Sequence, residues 1–305
     1  MFDEFDGVNV GDEDKTDFKG RVNVTGDILS FKRCPRQYGL LTVKGFTPSH
    51  TTQQYFGQLI HQVLDLAHLH YQGWLDDEQR GESRKVPTDE EIRFYFDQVE
   101  RALVAVGIKP SGVRRPKALE LIQKFNKLEG PVLYPRVKET EYELTSDIGT
   151  HIMTGTVDVL IVSGTQDYDN PQIEIWDYKG SRFPGYKSKT FWEHRLQMHV
   201  YANLYKMRAG RFPDKTVLYY VNELDSWSEG EDRPLNAYIE VPVDKALINK
   251  AVEDFASTAE KIDYCKTINK WDPPNIRYRD TKTCDDCDIR WGCPEHGDKY
   301  RPRYP

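Results

Sequence analysis

The chain of 305 residues has no apolar run near the ~18 residues that a membrane-spanning helix requires, so the integral-membrane classes built on such helices are excluded. Its opening stretch, MFDEFDGVNVGDEDKTDFKG, has no apolar signal-peptide core. It is acidic and reads as a flexible tail over residues 1–23, and the expected setting is cytoplasmic, with no membrane partner. A phosphate loop of the form G-x-x-x-x-G-K followed by Ser or Thr is missing, which removes ATP-driven work by that route. No internal repeat is visible, so solenoids and propellers are not expected. Basic residues are not in excess. Lys and Arg number 42 against 49 Asp and Glu, a formal net charge of −7, which argues against indiscriminate binding of polyanions. A local basic groove or bound cations can still serve a nucleic-acid enzyme. Cysteine is scarce, with only 5 residues, and three of them crowd together as Cys284, Cys287 and Cys293.

What is present describes a polar surface around a sizeable core, with 38% hydrophobic and 30% charged residues. The spacing predicts a short helix through Ile28, Leu29 and Phe31, capped by Thr25 or Asp27 and ending at Cys34–Pro35. Leu59, Ile60, Val63, Leu64 and Ala67 repeat at helical spacing, with His61, Asp65 and His68 on the more polar side. A charged linker spans residues 76–91, and helices are expected over Glu90–Val106 and Ala118–Leu128. Between those helices lies a basic loop, Pro110–Pro116, whose Arg114 and Arg115 are candidate phosphate contacts. Strands are expected over Glu139–Leu144, Ile152–Val162, Gln172–Lys179, Thr216–Asn222 and Ala237–Val243. Helices are expected over Phe191–Met207 and from Asp244 onward. Residues 24–75 therefore read as N-terminal helices, 76–135 as a helical insertion, 136–270 as the core and 271–305 as a cysteine segment.

The most informative stretch runs from Gly155 to Lys179: GTVDVLIV, a polar turn, then IEIWDYKG. Residues two apart on a strand share a face, so Ile175, Asp177 and Lys179 point one way and Trp176 and Tyr178 the other. A carboxylate and an ammonium among apolar neighbours need a partner or a metal. With Asp158 on the neighbouring strand, a hard cation would find two carboxylates, which suits Mg²⁺ or Mn²⁺. A structural Asp–Lys ion pair explains the same residues equally well. The C-x₂-C-x₅-C cluster reads as metal ligands in a reducing compartment. Its fourth partner is either Cys34, giving a site of four cysteines, or His296, giving a Cys₃His zinc site. Cys265, within the last long helix, reads as a free core thiol.

Taken together these motifs resemble the PD-(D/E)xK nucleases of the RecB type, in the iron–sulfur branch that includes the AddB nuclease domain and the CRISPR-associated RecB-like exonucleases. The resemblance runs from about Val24 to Pro294, outside the helical insertion. It rests on G-x-x-x-H at Gly57–His61, G-x-x-D at Gly155–Asp158, D-x-K at Asp177–Lys179 and Q-x-x-x-Y at Gln197–Tyr201. It also rests on Cys34-Pro35-Arg36 followed by Tyr38, and on the C-terminal cysteines. Each motif alone is weak, and their shared order is the signal. The resemblance implies an α/β, restriction-endonuclease-like fold: a central mixed sheet flanked by helices, with a C-terminal segment stapled by a 4Fe-4S cluster on Cys34, Cys284, Cys287 and Cys293. It implies a metal-dependent deoxyribonuclease, a single-strand-preferring exonuclease of DNA repair, CRISPR adaptation or phage defence. His61, Asp158, Asp177 and the Tyr178 carbonyl would hold Mg²⁺ or Mn²⁺. Lys179 would act on the reacting phosphate, Gln197 and Tyr201 would position substrate, and Glu141 would lend outer support. Arg114, Arg115, Arg182 and Lys187 are the expected DNA contacts. DNA is the expected partner, with a helicase or CRISPR or defence proteins in trans. A non-catalytic DNA-end-binding subunit and a zinc-stapled scaffold are the competing readings.

Overall fold

The structure is a computed structural model that describes residues 19–47, 52–74, 84–108, 110, 112–164, 171–275 and 281–295. The expected tail up to residue 18, the first half of the charged linker and His296 lie outside these residues.

Among the described residues six strands form one mixed sheet: β1 (Arg21–Asn23), β2 (Val137–Asp147), β3 (Ile152–Ser163), β4 (Gln172–Lys179), β5 (Lys215–Tyr220) and β6 (Tyr238–Val241). The order is β1-β3-β4-β5-β6, with β2 also on β3. The β1–β3 and β4–β5 pairs are parallel, and the other pairs are antiparallel. β2 is longer than its apolar pattern suggested. Beyond Tyr220 the chain turns into a 3₁₀ helix, Val221–Ser226, where the sequence predicted continued strand.

Period-two alternation splits the sheet between two cores. Trp176 and Tyr178 of β4, with Val217 and Tyr219 of β5, face α3 (Thr52–Gln72), α4 (Asp89–Ala105) and α5 (Arg114–Leu128). Ile173, Ile175, Leu218 and Tyr220 face the other way, against α7 (Lys189–Ala209) and α8 (Lys245–Thr267). The stretch expected as an insertion thus supplies α4 and α5 of the first helical face, through Phe96, Ile122 and Phe125, beside α3, and runs on into the short α6 (Gly130–Leu133). Phe125 is fully buried, with its ring edge-on to Tyr178 and Tyr219. Truncating such a residue to Ala typically costs ~3–5 kcal/mol. α4 starts at a capping box, in which Thr88 Oγ1 accepts the Glu91 N–H and Glu91 reaches back to the Thr88 N–H. The stretch expected as a basic loop contains the start of α5 at Arg114. His68 is likewise not on a polar face: it is fully buried, bonded to the Tyr178 hydroxyl at 2.9 Å, and desolvation lowers its pKa to about 3.

The edge of β3 explains where the site forms. β2 pairs along one side of β3 from Ile152 to Ile161. On its other side β1 covers Ile152–Thr154, and β4 pairs only from Val159 onward. The segment Gly155–Asp158 is left in the fork between β1 and β4. Gly155 suits this gap, because a Cβ there would lie 2.6 Å from the Tyr201 ring of α7. Asp158 uses the gap differently: its Oδ2 accepts the Tyr178 N–H at 2.6 Å, at the point where β4 has left β3.

Residues 23–39 are held against α8 and the segment after it by aromatic packing, an ion pair and a hydrogen bond. Asn23, rather than Thr25 or Asp27, caps the first helical turn, a π-type turn over Val24–Leu29. α1 (Ser30–Arg33) and α2 (Pro35–Tyr38) follow, with Cys34 between them as the cap of α2. Gly39 lets Trp271 approach so closely that a Cβ would sit 2.1 Å from the indole. That ring also packs against Phe31 and Tyr38. Lys32 binds Asp254 of α8 at 2.6 Å, and Arg36 donates to the Gly292 carbonyl at 2.8 Å.

Candidate active site

Three elements deliver the polar groups. α3 presents His61, β3 presents Asp158, and β2 presents Glu141 directly across from it, between the pairs Thr140↔Val159 and Tyr142↔Val157. One ligand atom from each of His61, Glu141 and Asp158 lies within 4.8 Å of the other two. His61 Nδ1 is 3.3 Å from Asp158 Oδ2. These residues line an open cleft with Gly57, Gln58, Gln62 and Asp65. An imidazole with carboxylate oxygens is a donor set suited to Mn²⁺ or Mg²⁺. Glu141 has φ +45°, in the left-handed region that non-glycine residues seldom adopt. Such a conformation costs on the order of 1–3 kcal/mol and recurs at functional sites. Here it re-aims an acid from mid-strand into the cleft.

Asp177 stands beside this group rather than within it. Its Oδ2 lies 2.6 Å from Lys179 Nζ, and both side chains are largely buried. The sequence left metal site and ion pair as alternatives; the structure holds both a cation-ready group and an ion pair, side by side. Gln197 locks the pair. Its Oε1 accepts from Lys179 Nζ at 2.7 Å, and its amide donates to Asp177 Oδ1 and to the Tyr201 hydroxyl, each at 2.8 Å. Gln197 is 4% exposed and Tyr201 2%. Both lie behind Asp177 and Lys179 and hold those groups through these bonds.

The charges are strongly coupled. Burial alone would push Asp158 up, but the His61 imidazole, the Tyr178 N–H and Lys179 outweigh it and hold the carboxyl below its ordinary range. Burial would likewise depress His61, yet Asp158 and Asp177 raise it to about 9. Desolvation raises Asp177, helped by Asp158 and opposed by Lys179. Glu141 is pushed up to about 7 by crowding around its carboxyl and by Asp158. Its residue surface is exposed, so the nearby carboxylate is the firmer cause. This excess of negative charge around one cleft is what a divalent cation would relieve. Asp65 lies one turn after His61, on the side of α3 expected to be the more polar. Its Oδ1 is buried with no hydrogen-bond partner among the described residues, and desolvation raises its carboxyl.

The basic residues expected on the DNA path are unequal. Arg115 is held by Asp97 at 2.6 Å and Glu100 at 2.9 Å, so its guanidinium is committed within the helical face. Arg114 lies over the Phe56 ring. Arg182 binds Asp225 at 2.8 Å, which also takes Lys117. Lys187 is exposed, with no ion pair among the described residues.

A second cavity is lined by Cys34, Cys284, Cys287 and Cys293 with Arg33, Arg36, Pro273 and Pro274. The two chain ends therefore bring four thiols to one place. Cys34 Sγ accepts the Gln37 N–H at 3.4 Å. Desolvation raises both Cys34 and Cys287. Cys265 sits apart on α8, partly exposed at the rim of the second core.

A family model described as the PD-(D/E)XK nuclease superfamily matches residues 26–294. No curated protein matches the chain. Among solved structures, the crystal structure of a presumed exonuclease from Eubacterium rectale aligns at TM-score 0.54 and 13% identity, over 98% of this chain and 96% of that one. That likeness concerns the fold. The crystal structure of SSO0001 aligns at TM-score 0.37 and 17% identity, over 91% of this chain and 87% of that one.

Proposed function

This chain belongs to the PD-(D/E)XK nuclease superfamily, and from that premise we propose that it is a divalent-metal-dependent deoxyribonuclease with the cleft of His61, Glu141 and Asp158 as its catalytic centre. The observation that carries the reading is the convergence of those three ligands beside the Asp177–Lys179 pair, at the fork between β1 and β4. His61, Glu141 and Asp158 would hold Mg²⁺ or Mn²⁺, with Asp177 and the Tyr178 carbonyl available at its edge. A cation bound there lowers the pKa of water and neutralises charge on a scissile phosphate. Lys179 supplies a preset positive charge for the phosphoryl oxygens as negative charge builds on them. Gln197 holds that ammonium so that it need not reorganise during reaction. Asp158, by taking the Tyr178 N–H, fixes the strand that carries both Asp177 and Lys179.

In the finer reading the enzyme is an exonuclease preferring single strands, serving DNA repair, CRISPR adaptation or phage defence. On a duplex substrate, a helicase or another partner would supply the strands or ends. We also assign the four-cysteine cavity to a 4Fe-4S cluster. What supports a four-cysteine site over a Cys₃His site is that Cys34 lines the same cavity as the three C-terminal thiols. The choice of iron over zinc rests on the family resemblance, and metal analysis of anaerobically purified protein separates them. Digestion of end-labelled single-stranded and duplex DNA with Mn²⁺ or Mg²⁺ tests the activity. Metal-dependent cleavage is expected, faster on single strands. Binding of DNA ends without cleavage under any divalent ion would instead favour the non-catalytic subunit.

A further inference from the structure

Beyond Lys179 the chain enters a loop, residues 180–188, that is unusually well anchored. The Phe183 N–H donates to Glu223 at 2.8 Å, Arg182 binds Asp225, and Gly185 turns the chain at φ +86°. The Phe183 ring packs on Tyr220, whose backbone pairs with that of Lys179. These contacts hold Tyr186 in place: its ring lies edge-on to Phe183 at 4.8 Å and to Phe191 at 5.3 Å. Yet Tyr186 is 68% exposed. The residue after Phe191 is Trp192, 47% exposed, with Lys32 Nζ 5.5 Å from its ring centroid. Two large aromatic faces therefore stand in solvent, one of them, Tyr186, joined through Phe183 to Tyr220, the backbone partner of Lys179.

The surroundings include four cations, Lys32, Arg33, Lys187 and Lys189, against the two acids Asp254 and Glu193 that pair with three of them. Lys187 is exposed beside Tyr186. The acid beneath the patch, Glu193, is answered by two cations, Arg33 at 3.6 Å and Lys189 at 3.8 Å. Arg33 also borders the cysteine cavity, so the patch lies on the side of the molecule between the two centres. His194 gives a second link, because its Nδ1 meets the hydroxyl of Tyr220, the backbone partner of Lys179, at 2.9 Å. Apolar partners would not call for this ring of cations. A duplex hides the faces of its bases. A single strand offers both phosphates and unstacked bases, and aromatic side chains among cations are what such a strand binds.

We propose that Tyr186 and Trp192 form a stacking step for the bases of single-stranded DNA running between the cleft at Lys179 and the cysteine cavity. The proposal rests on the nuclease reading for its substrate class and adds the residues that would select unpaired strands. The test is fluorescence anisotropy with the full chain in EDTA, so that binding is read without cleavage. The probes are a labelled oligothymidylate of about 20 nucleotides, its counterpart with abasic spacers, and a blunt duplex. Tyr186→Ala and Trp192→Ala should each weaken oligothymidylate binding about ten-fold and leave abasic binding unchanged. Tyr186→Phe and Trp192→Phe should bind as wild type, since the π-face is kept. Oligothymidylate binding undiminished in both Ala variants would overturn the proposal. So would an equal loss on normal and abasic strands, or wild-type protein that prefers the duplex. Cleavage is scored separately: wild type that stacks single strands but cuts no DNA would defeat the nuclease reading and leave the stacking step standing.

Discussion

Replacing Gln197 by Ala removes one amide that serves three buried groups. Lys179 Nζ loses a 2.7 Å acceptor, and Asp177 Oδ1 and the Tyr201 hydroxyl each lose a 2.8 Å donor. An unsatisfied buried polar group costs about 1–3 kcal/mol. Lys179 and Asp177 keep each other at 2.6 Å, which offsets part of the loss. The penalty therefore falls on Asp177 Oδ1, since Lys179 pairs with Oδ2, and on the Tyr201 hydroxyl, together with the cavity left by the amide, and a destabilisation of about 2–4 kcal/mol is expected. Urea unfolding of wild type and variant measures it through the shift in midpoint. Because Gln197 is buried behind the ion pair, substrate affinity should barely move while kcat falls as Lys179 loses its fixed position. If KM rises and kcat is kept, Gln197 touches substrate after all. If stability is unchanged as well, the network is not holding the site.

Other perturbations separate the remaining parts. Glu141→Gln keeps shape but removes one negative charge from the cleft, so calorimetry should show Mn²⁺ binding weakened by ten-fold or more; unchanged affinity would remove Glu141 from the ligand set. Cys34→Ala should release both chain ends and lower Tm, with loss of bound iron, whereas Cys265→Ala should do neither; iron retained in Cys34→Ala would exclude it as a ligand. Glu91 is held below its ordinary carboxylate range, since the Thr88 backbone and hydroxyl bonds outweigh desolvation. Its contribution should therefore be present above the unfolded value of 4.5 and disappear as pH falls through the lower folded value. Thr88→Ala should cost about 1 kcal/mol at neutral pH, and a stability gap that stayed constant into strong acid would contradict the cap.

Strand polarity and period made much of the sheet legible in the sequence. Gln172–Lys179 forms a strand with the expected bounds, and its two faces separate as alternation requires. Helix caps were less legible. Asn23 and Thr88 compete with nearby Thr and Asp residues that offer the same chemistry, and only geometry chooses among them. Glu141 was read as outer support because an acid on an exposed strand is ordinary. Its φ of +45° and its register opposite Asp158 are properties of the folded sheet. Gln197 and Tyr201 were visible as a spacing of four, but spacing does not say which helix face is buried. His68 failed for the same reason, as a polar residue whose hydroxyl partner, Tyr178, lies far away in the chain. Arg115 looked free because its partners, Asp97 and Glu100, belong to a different helix.

The most direct measurement is a time course of end-labelled single-stranded DNA with Mn²⁺, comparing wild type with Lys179→Ala and Asp177→Asn, each checked for an intact fold by circular dichroism. The account predicts cleavage by wild type that stops when the ion is chelated, and loss of at least ~100-fold in rate in both variants. Wild type that cleaves no DNA with any divalent ion, or variants that cleave at the wild-type rate, would contradict it.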